Sequence, residues 1–270
     1  MKKILIDEMK KIQIEILLQV HEICEDSNLR YYLTYGTLLG AIRHNGFIPW
    51  DDDIDIAMPR KDYSRFIDIF SKLNHENLTI TSIECNKKHL YTYAKIYNKN
   101  TIKIENGVKN NIGFGGVDID IFPIDGLPEN EKKSMRYFKH QKLLFRMYSL
   151  SMYDFSKSKF FHHRILYNLV ALIAKIIGTR MWIVIINKNG IKYDSEKSTY
   201  IASSMASFYG NKEKILNKQY VERFLVEFEG LRFWAPKNYH IFLSNLYGDY
   251  MILPPLDKRV THHNYEVFWK

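Results

Sequence analysis

The sequence is poor in cysteine, and its most apolar stretch is interrupted by charge. Cys24 and Cys85 are the only cysteines in 270 residues, too few for a disulfide framework or a cysteine-rich metal site. We therefore expect two buried or idle thiols in a reducing compartment. Residues 165–186 are strongly apolar but contain Lys175 and Arg180. Those charges favour two packed helices over one membrane-spanning helix, which needs about 20 uninterrupted apolar residues.

The N-terminal residues lack the features of a secretory signal peptide. Asp7 and Glu8 stand where such a signal needs an apolar run. We therefore expect a cytoplasmic protein. The alternative is peripheral contact with the inner face of the plasma membrane, in which a basic helical face rests on the lipid surface.

Acidic residues are fewer than basic ones, with 30 Asp and Glu against 39 Lys and Arg and a formal net charge of +9. A basic balance suits nucleic acid, anionic lipid or phosphate-bearing substrates. A codon usage that favours Lys, Asn and Ile explains it equally well. The sequence contains no nucleic-acid recognition motif or clustered basic stripe, so we expect no nucleic-acid partner.

The most informative segment is an acidic run inside an apolar one. Asp53 and Asp55 alternate with Ile54 and Ile56, which is the period of a strand. Both carboxylates would then project from one face, where like charges repel unless something neutralises them. A divalent cation with oxygen ligands would do so. The alternative is a solvated acidic turn before an edge strand.

A second strand of the same kind covers residues 117–125, and we expect Pro123 to end it. Asp118 and Asp120 alternate there with apolar residues. Two such strands in one chain favour a shared metal site built from neighbouring strands. A buried structural ion pair is the alternative.

A glycine and a hydroxyl stand between a predicted strand at 31–34 and a helix-like turn at 38–44. Backbone N–H groups near Gly36 and Thr37 could hold phosphate at such a strand-to-helix corner. A plain tight turn is the alternative.

The remaining periodicity predicts alternating helices and strands, with no internal repeat. Helices are expected at 4–24, 60–73 (opened by Pro59), 131–187 and from Pro236 to Gly248; strands at 78–83, 91–97, 101–104, 200–203 and 220–228; and a loop at 113–116. His262 and His263 lack a third ligand at metal spacing, so we expect no zinc site there.

Three blocks run in order through the sequence. They read YGTLLGAIRH with FIPWDDDID at 35–55, IDIFPID at 119–125, and LYGDYM with LPP and KR at 246–259. In these blocks the chain resembles the LicD family of phosphocholine transferases. The resemblance implies an α+β fold with a nucleotidyltransferase-like mixed β-sheet core, flanking helices and a helical insertion. The expected division is a catalytic core at 1–130, the insertion at 131–195, and a C-terminal part at 196–270 that completes the core.

The family's activity implies transfer of phosphocholine from CDP-choline to a sugar hydroxyl, with release of CMP. The acceptor would be a cell-surface glycan or lipid-linked glycan: teichoic acid, lipopolysaccharide or a capsule precursor. The implied cofactor is Mg²⁺, as one or two ions, with Mn²⁺ as a substitute. Alternatives are transfer of another phospho-head group, such as phosphoethanolamine or a polyol phosphate, and nucleotidyl transfer. A non-catalytic scaffold or nucleic-acid-binding protein is an alternative from another class.

The resemblance also assigns roles to residues. Asp53, Asp55 and Asp120 would be the metal ligands and catalytic carboxylates, and Asp120 could instead accept a proton. Asp118 departs from the family pattern, which has an apolar or aromatic residue there, so it could share that role. The implied substrate-binding residues are Gly36, Thr37, Arg43, His44, Trp50, Lys95, Asp249, Tyr250, Lys258 and Arg259. The acceptor sugar and any aromatic cage for choline are left open.

Overall fold

The structure is a computed structural model of the 270-residue chain. It describes residues 1–105, 115–152, 164–203, 209–261 and 265–270. Part of the predicted loop at 113–116 and the histidine pair at 262–263 lie outside the described residues.

The described residues form a mixed α+β fold. Its helices are α1 (Ile6–Asp26), α2 (Tyr35–His44), α3 (Arg60–Lys72), α4 (Glu131–Met152), α5 (Arg164–Ile177), α6 (Thr179–Gly190), α7 (Asn217–Tyr220) and α8 (Tyr239–Tyr247). Its strands are β1 (Tyr32–Leu33), β2 (Asp55–Pro59), β3 (Leu78–Thr81), β4 (Ala94–Asn98), β5 (Thr101–Glu105), β6 (Asp118–Gly126), β7 (Tyr200–Ala202), β8 (Ile215–Leu216), β9 (Arg223–Phe228), β10 (Leu231–Pro236) and β11 (Tyr265–Trp269).

The central sheet has the order β1-β2-β6-β4-β3, and β7 extends it from β6 to β8. Strands β2 and β6 are parallel, whereas β1, β4 and β7 run antiparallel to their neighbours. Two further antiparallel pairs, β9 with β10 and β5 with β11, flank this sheet. The parallel pair lies in the middle of the sheet and carries the two acidic segments.

Apolar faces of helices close the core around this sheet. Ile16, Leu17 and Val20 of α1 and Phe66 of α3 are fully buried in one large cluster with the sheet residues. These positions recur at helical spacing, so each helix presents an apolar stripe to the sheet. The same cluster takes side chains from the last third of the chain, among them Phe233.

Helices α4, α5 and α6 form a separate layer with its own small core. Leu144, Ala174, Trp182 and Ile186 are its buried residues. The predicted pair of packed helices within 165–186 is confirmed, because the chain breaks at Gly178 between α5 and α6. Among the described helices none is long and apolar enough alone to cross a membrane; the α5–α6 pair, bent by 81°, passes that test only when its two halves are taken together.

Pro123 does not end β6, which continues to Gly126. The N–H of Asp120 points toward β2, where it donates to the carbonyl of Ile54. Alternation along the strand therefore turns the nitrogen of residue 123 to the opposite side. On that side β4 pairs with β6 only as far as Ile121, so the missing proline N–H breaks no bond of that ladder.

Other boundaries also differ from those predicted. Pro236 ends strand β10, and the following helix begins at Tyr239. Helix α2 begins at Tyr35 rather than after Thr37, so the expected corner is the first turn of the helix. Strands β8, β10 and β11 were not predicted. Strand β8 has two residues, β11 pairs with the distant β5, and β10 ends at Pro236, which was expected to open a helix.

Candidate functional site

Two carboxylates meet at the start of the parallel strand pair. Asp55 on β2 and Asp120 on β6 are register partners, so their side chains leave the same face side by side. The N–H of Asp120 donates to the carbonyl of Ile54 at 2.9 Å, which fixes this register. The sequence interpretation placed these two residues in one site, and the sheet puts them next to each other.

Burial and mutual repulsion dominate the electrostatics of this pair. Burial, followed by the charges of Asp53 and Asp120, raises the pKa of Asp55 well above its usual range. Burial also raises the pKa of Asp120, in spite of the nearby Lys95. Carboxylates in this environment favour any partner that brings positive charge.

Lys95 supplies part of that charge from inside the protein. Its Nζ donates to Asp118 Oδ2 at 2.7 Å and also to Asp120 Oδ1. Lys103 Nζ donates to Asp118 Oδ1 at 2.8 Å. Although burial opposes it, the two lysines together lower the pKa of Asp118. The charge of Asp118 is therefore better neutralised than that of Asp120. Lys95 was expected to contact the donor, but in the structure its Nζ contacts these two carboxylates.

The donor chemistry of this cluster fits a hard divalent cation. Asp53, Asp55 and Asp120 offer carboxylate oxygens, and their repulsion is what such an ion would relieve. No group of three His, Cys, Asp or Glu side chains in the described residues is arranged to hold a metal by itself. Mg²⁺ does not require one, since it is usually held by one or two carboxylates together with water and substrate phosphates.

The first turn of α2 lies directly against the acidic segment. A Cβ on Gly36 would come within 2.6 Å of Asp51 Oδ2, so a larger residue here would have to displace the Asp51 side chain. Thr37 Oγ1 accepts the backbone N–H of Asp55 at 2.8 Å. A phosphate at this helix end would have to share the space with Asp51, and Thr37 has a positioning role that the sequence did not indicate.

Helix α1 and strand β11 hold the acidic segments from behind. Gln13 Nε2 donates to the carbonyls of Asp52 and Asp118 at 3.0 and 3.2 Å, which ties the two segments together. The hydroxyl of Tyr265 donates to Asp52 Oδ2 at 3.0 Å. Asp52 therefore belongs to the supporting structure, while its neighbours Asp51 and Asp53 influence Asp55.

A cationic and aromatic cluster forms at the C-terminal end of α2. Arg43 Nη1 donates to the carbonyl of Tyr250 at 2.7 Å, and Arg43 Nε donates to His44 Nε2 at 3.0 Å. The Arg259 guanidinium lies 5.6 Å from the centre of the Trp50 ring, and His44 meets that ring edge-on at 6.3 Å. Five predicted substrate-binding residues therefore lie together, although they come from both ends of the chain.

The positive charges of this cluster repel one another and lower one another's pKa. Burial and then the charge of Arg259 lower the pKa of Arg43. Burial and then Arg43 lower the pKa of His44. A site in which cations lower each other's pKa is prepared to receive an anion.

Two tyrosines that sequence reasoning missed connect the acidic and cationic clusters. Tyr209 donates to the hydroxyl of Tyr247 at 3.2 Å. Burial, Tyr209 and then the charges of Asp55 and Asp51 raise the pKa of Tyr247 well above its usual value. Tyr247 also influences Arg43, so it lies near both clusters. Tyr247 lies in the third motif block, and membership of that block was the sequence feature that could have marked it as a site residue.

The remaining predicted residues are not drawn into this cluster. Asp249 and Lys258 are both exposed, and they stay candidates through their nearness in sequence to Tyr250 and Arg259. A separate cavity of about 560 Å³ lies at the far end of the strand pair, lined by Pro59 and Ile124. It does not reach Asp55 or Asp120, which begin the same pair.

Comparisons with known proteins agree on one family. Residues 28–165 match the family model described as LicD/FKTN/FKRP, nucleotidyltransferase domain. Over 277 aligned residues the chain is 33% identical to the lipopolysaccharide cholinephosphotransferase LicD of Haemophilus influenzae, with 99% of each protein covered. An uncharacterized protein of Rickettsia typhi is 30% identical over 139 residues, which cover 51% of this chain and 42% of that protein.

A shorter similarity extends to an animal protein. The human ribitol 5-phosphate transferase FKRP is 45% identical over 40 residues, which cover 15% of this chain and 8% of that protein. The family match spans half of the sequence, and the Haemophilus relative is similar along its whole length. The chain therefore belongs to the LicD family.

Proposed function

We propose that the protein transfers phosphocholine from CDP-choline to a sugar hydroxyl of a cell-surface glycan and releases CMP. The carrying observation is the parallel register of Asp55 and Asp120, which joins the two acidic segments in one buried site. The full-length similarity to a lipopolysaccharide cholinephosphotransferase supports the choice of head group and of a glycan acceptor. A nucleotidyltransferase-like arrangement of the sheet is part of this proposal.

The proposal includes a divalent cation, Mg²⁺ or Mn²⁺, held by Asp53, Asp55 and Asp120. When bound, it would neutralise the pyrophosphate charge that otherwise opposes attack on phosphorus. Thr37 keeps the backbone at Asp55 in place for this role. Gln13 fixes the spacing of the two acidic segments.

As an alternative to binding the cation, Asp120 would accept the proton of the attacking hydroxyl. Its raised pKa brings it closer to the operating pH than an exposed aspartate, as general-base catalysis favours. Lys95 would hold the carboxylate in orientation during the transfer. The phosphocholine group then passes to the sugar oxygen, and the bond to the CMP oxygen breaks.

The cationic cluster would bind the remaining negative charge of the donor. Arg43 and Arg259 both carry guanidinium groups suited to phosphate oxygens. Trp50 offers a ring face beside Arg259. Because Tyr247 lies between these groups and the acids, one donor could contact both clusters.

A polyol phosphate is the second candidate for the transferred group. The similarity to a ribitol 5-phosphate transferase favours it, although that similarity covers 15% of this chain and the cholinephosphotransferase similarity covers 99%. The reaction type would be the same, with a neutral polyol in place of the quaternary ammonium.

The test is a donor comparison with purified protein. CDP-choline, CDP-ethanolamine and CDP-ribitol are each incubated with MgCl₂ and glycan acceptors, while CMP release and acceptor mass are followed. We expect CMP release from CDP-choline, loss of activity with EDTA, and an acceptor mass increase of one phosphocholine group. Asp55→Asn is the inactive control. Turnover with CDP-ribitol alone would transfer the assignment to the second candidate.

A further inference from the structure

Helix α5 buries small residues and exposes large apolar ones, which is the reverse of a core helix. It buries the small residues Ala171 and Ala174 against α4 and α6. On its outer face Leu169, Leu172 and Ile173 are 52%, 50% and 54% exposed, and Ile176 is 76% exposed. These four residues recur at i, i+3, i+4 and i+7, so they form one continuous stripe.

Exposed apolar residues also flank the bend between α5 and α6. Ile177 and Met181 are 40% and 51% exposed. We call these six residues the α5–α6 apolar face: Leu169, Leu172, Ile173, Ile176, Ile177 and Met181. Exposed large apolar side chains scattered singly are normal, but a contiguous patch of this kind marks an interaction surface.

The helical layer that carries this face is strongly basic. Residues 131–152 and 168–190 contain nine Lys and Arg against one Glu. That local balance of +8 accounts for most of the protein's net charge of +9. Most of these basic residues lie on the exposed side of α4, among them Arg136, Lys139 and Arg146.

We propose that the α5–α6 apolar face binds the surface of a bilayer that contains anionic lipids. An exposed apolar helix face in a strongly basic layer combines the two features by which amphipathic helices bind the headgroup region of a bilayer. Each Lys or Arg near such a surface adds attraction to the anionic headgroups. A second copy of this layer would bring a second +8, so charge argues against self-association through the same face.

Side chains of α4 and α6 connect the helical layer to the segment that precedes β4. The Tyr148 hydroxyl of α4 donates to the carbonyl of Leu90 at 2.7 Å. Arg180 of α6 donates to the carbonyls of Ile83 and Asn86 at 3.2 and 3.1 Å. These carbonyls belong to the segment between β3 and β4, which leads to Lys95. The helical layer is therefore tied to the strand that carries Lys95. That a bilayer under this layer supplies a lipid-linked acceptor rests on the proposed function, whereas lipid binding does not.

Vesicle co-sedimentation tests the binding and needs no turnover. The full-length protein is mixed with vesicles of phosphatidylcholine alone or with 30% phosphatidylglycerol, and a triple variant carries Leu172→Gln, Ile173→Gln and Ile176→Gln. A matched control replaces Leu5, Leu73 and Leu225 by Gln; they are 68%, 48% and 42% exposed and lie outside the helical layer. We expect wild type and control to bind anionic vesicles, and the triple variant to bind on the order of tenfold or more weakly.

Salt and self-association separate the remaining explanations. Binding should weaken in 0.5 M NaCl and on neutral vesicles, because both reduce the electrostatic attraction. Equal binding by the triple variant would overturn the proposal. So would sedimentation-velocity data in which wild type is a dimer without lipid and the triple variant a monomer, because the face would then be an interface between copies.

A local probe identifies the contacting face. Cys24 is buried and Cys85 is exposed, so a Cys85→Ser background leaves no accessible thiol in the described residues. The label NBD is attached to Ile176→Cys, or to Leu73→Cys as the control. Only the probe at 176 should shift to the blue and brighten with anionic vesicles. An unchanged spectrum at 176 while the protein co-sediments would show that another surface binds the lipid.

Discussion

Asp55 and Asp120 are register partners in the parallel pair of β2 and β6, whereas Asp118 pairs with Tyr97 of β4. This register distinguishes two acids that the sequence left as alternatives. The charge of Asp120 contributes to the raised pKa of Asp55, whereas Asp118 forms ion pairs with two lysines. We therefore place the third catalytic carboxylate at Asp120 in the proposed reaction.

The first prediction separates these acids by kinetics. Asp55→Asn, Asp53→Asn and Asp120→Asn should each lower kcat by at least about a hundredfold, because each removes a hard anionic ligand or the base at little steric cost. Asp118→Asn should keep more activity. Steady-state CMP release with each variant is the measurement, and the reverse ranking of Asp118 and Asp120 would move the catalytic role to Asp118.

Stability should follow the opposite order. Asp118→Asn leaves the largely buried Lys95 and the half-buried Lys103 with less counter-charge, and breaking a fully buried pair costs about 3–5 kcal/mol. Asp55→Asn removes a repelled carboxylate, so its Tm in EDTA should equal or exceed that of wild type. Thermal unfolding of the two variants provides this comparison without any substrate.

The second prediction concerns the hydroxyl of Thr37. Thr37→Val removes the acceptor for the N–H of Asp55, and an unsatisfied buried donor costs about 1–3 kcal/mol. Thr37→Ser keeps the oxygen. We expect the valine variant to lose both stability and kcat and the serine variant to stay near wild type. Equal kcat in Thr37→Val and wild type would remove the positioning role.

Local patterns predicted the acidic strands, the first helix and the break within 165–186, because each depends on periodicity or on a single interrupting residue. The parallel pairing of β2 with β6 could not be predicted this way. It joins segments about 65 residues apart in the chain, and its register is set by contacts such as Asp120 with Ile54.

Residues that support a site from distant elements leave no local signal. Gln13 occupies one position in an ordinary helix, and Tyr247 is one of 19 tyrosines. Pro236 was assigned to a helix start, since proline is common there. In the structure Pro236 instead ends strand β10, where it is the register partner of Arg223 on β9. Pairing with β9 therefore determined its place, not the local proline signal.

The third prediction concerns binding of the donor by the cationic cluster. Arg259→Met should raise KM for the donor about tenfold to a hundredfold, because a hydrogen bond to a charged group contributes about 1.5–3 kcal/mol. kcat should change less. Arg232→Met is the control, since that arginine is exposed on β10. A circular dichroism spectrum is needed, because Arg259 Nε also donates to the carbonyl of Pro254; a folded variant with unchanged KM would exclude Arg259 from the donor site.

The fourth prediction concerns pH. Glu213 is 2% exposed, and burial raises its pKa to about 8 from the usual 4.5, although Tyr209 N–H and Tyr35 OH partly oppose this. The folded protein therefore binds a proton between about pH 4.5 and 8 that the unfolded chain has released. Stability from this group is complete below pH 4.5 and is lost as pH rises through 8.

Glu213→Gln should flatten that dependence, because an amide carries no proton to lose. We expect the Tm of wild type to fall more between pH 5 and 8 than the Tm of this variant. Glu227→Gln, at an exposed position on β9, is the control and should follow wild type. Parallel curves for wild type and Glu213→Gln would show that Glu213 is ionised throughout.

The last prediction tests head-group selectivity at the tyrosine pair. Tyr209 and Tyr247 meet edge-on with ring centres 5.5 Å apart, close to Asp51 and Asp55. A trimethylated ammonium would bind against such ring faces more readily than a primary ammonium, which stays strongly hydrated. A desolvated cation–π contact is worth about 2 kcal/mol, or roughly a 30-fold preference.

Tyr247→Leu should therefore lower kcat/KM for CDP-choline about 30-fold relative to CDP-ethanolamine, whereas Tyr247→Phe, which keeps the ring, should preserve the ratio. An unchanged ratio in Tyr247→Leu would place the choline group elsewhere. Equal kcat/KM for both donors in wild type would reject phosphocholine selectivity while leaving the carboxylate site intact.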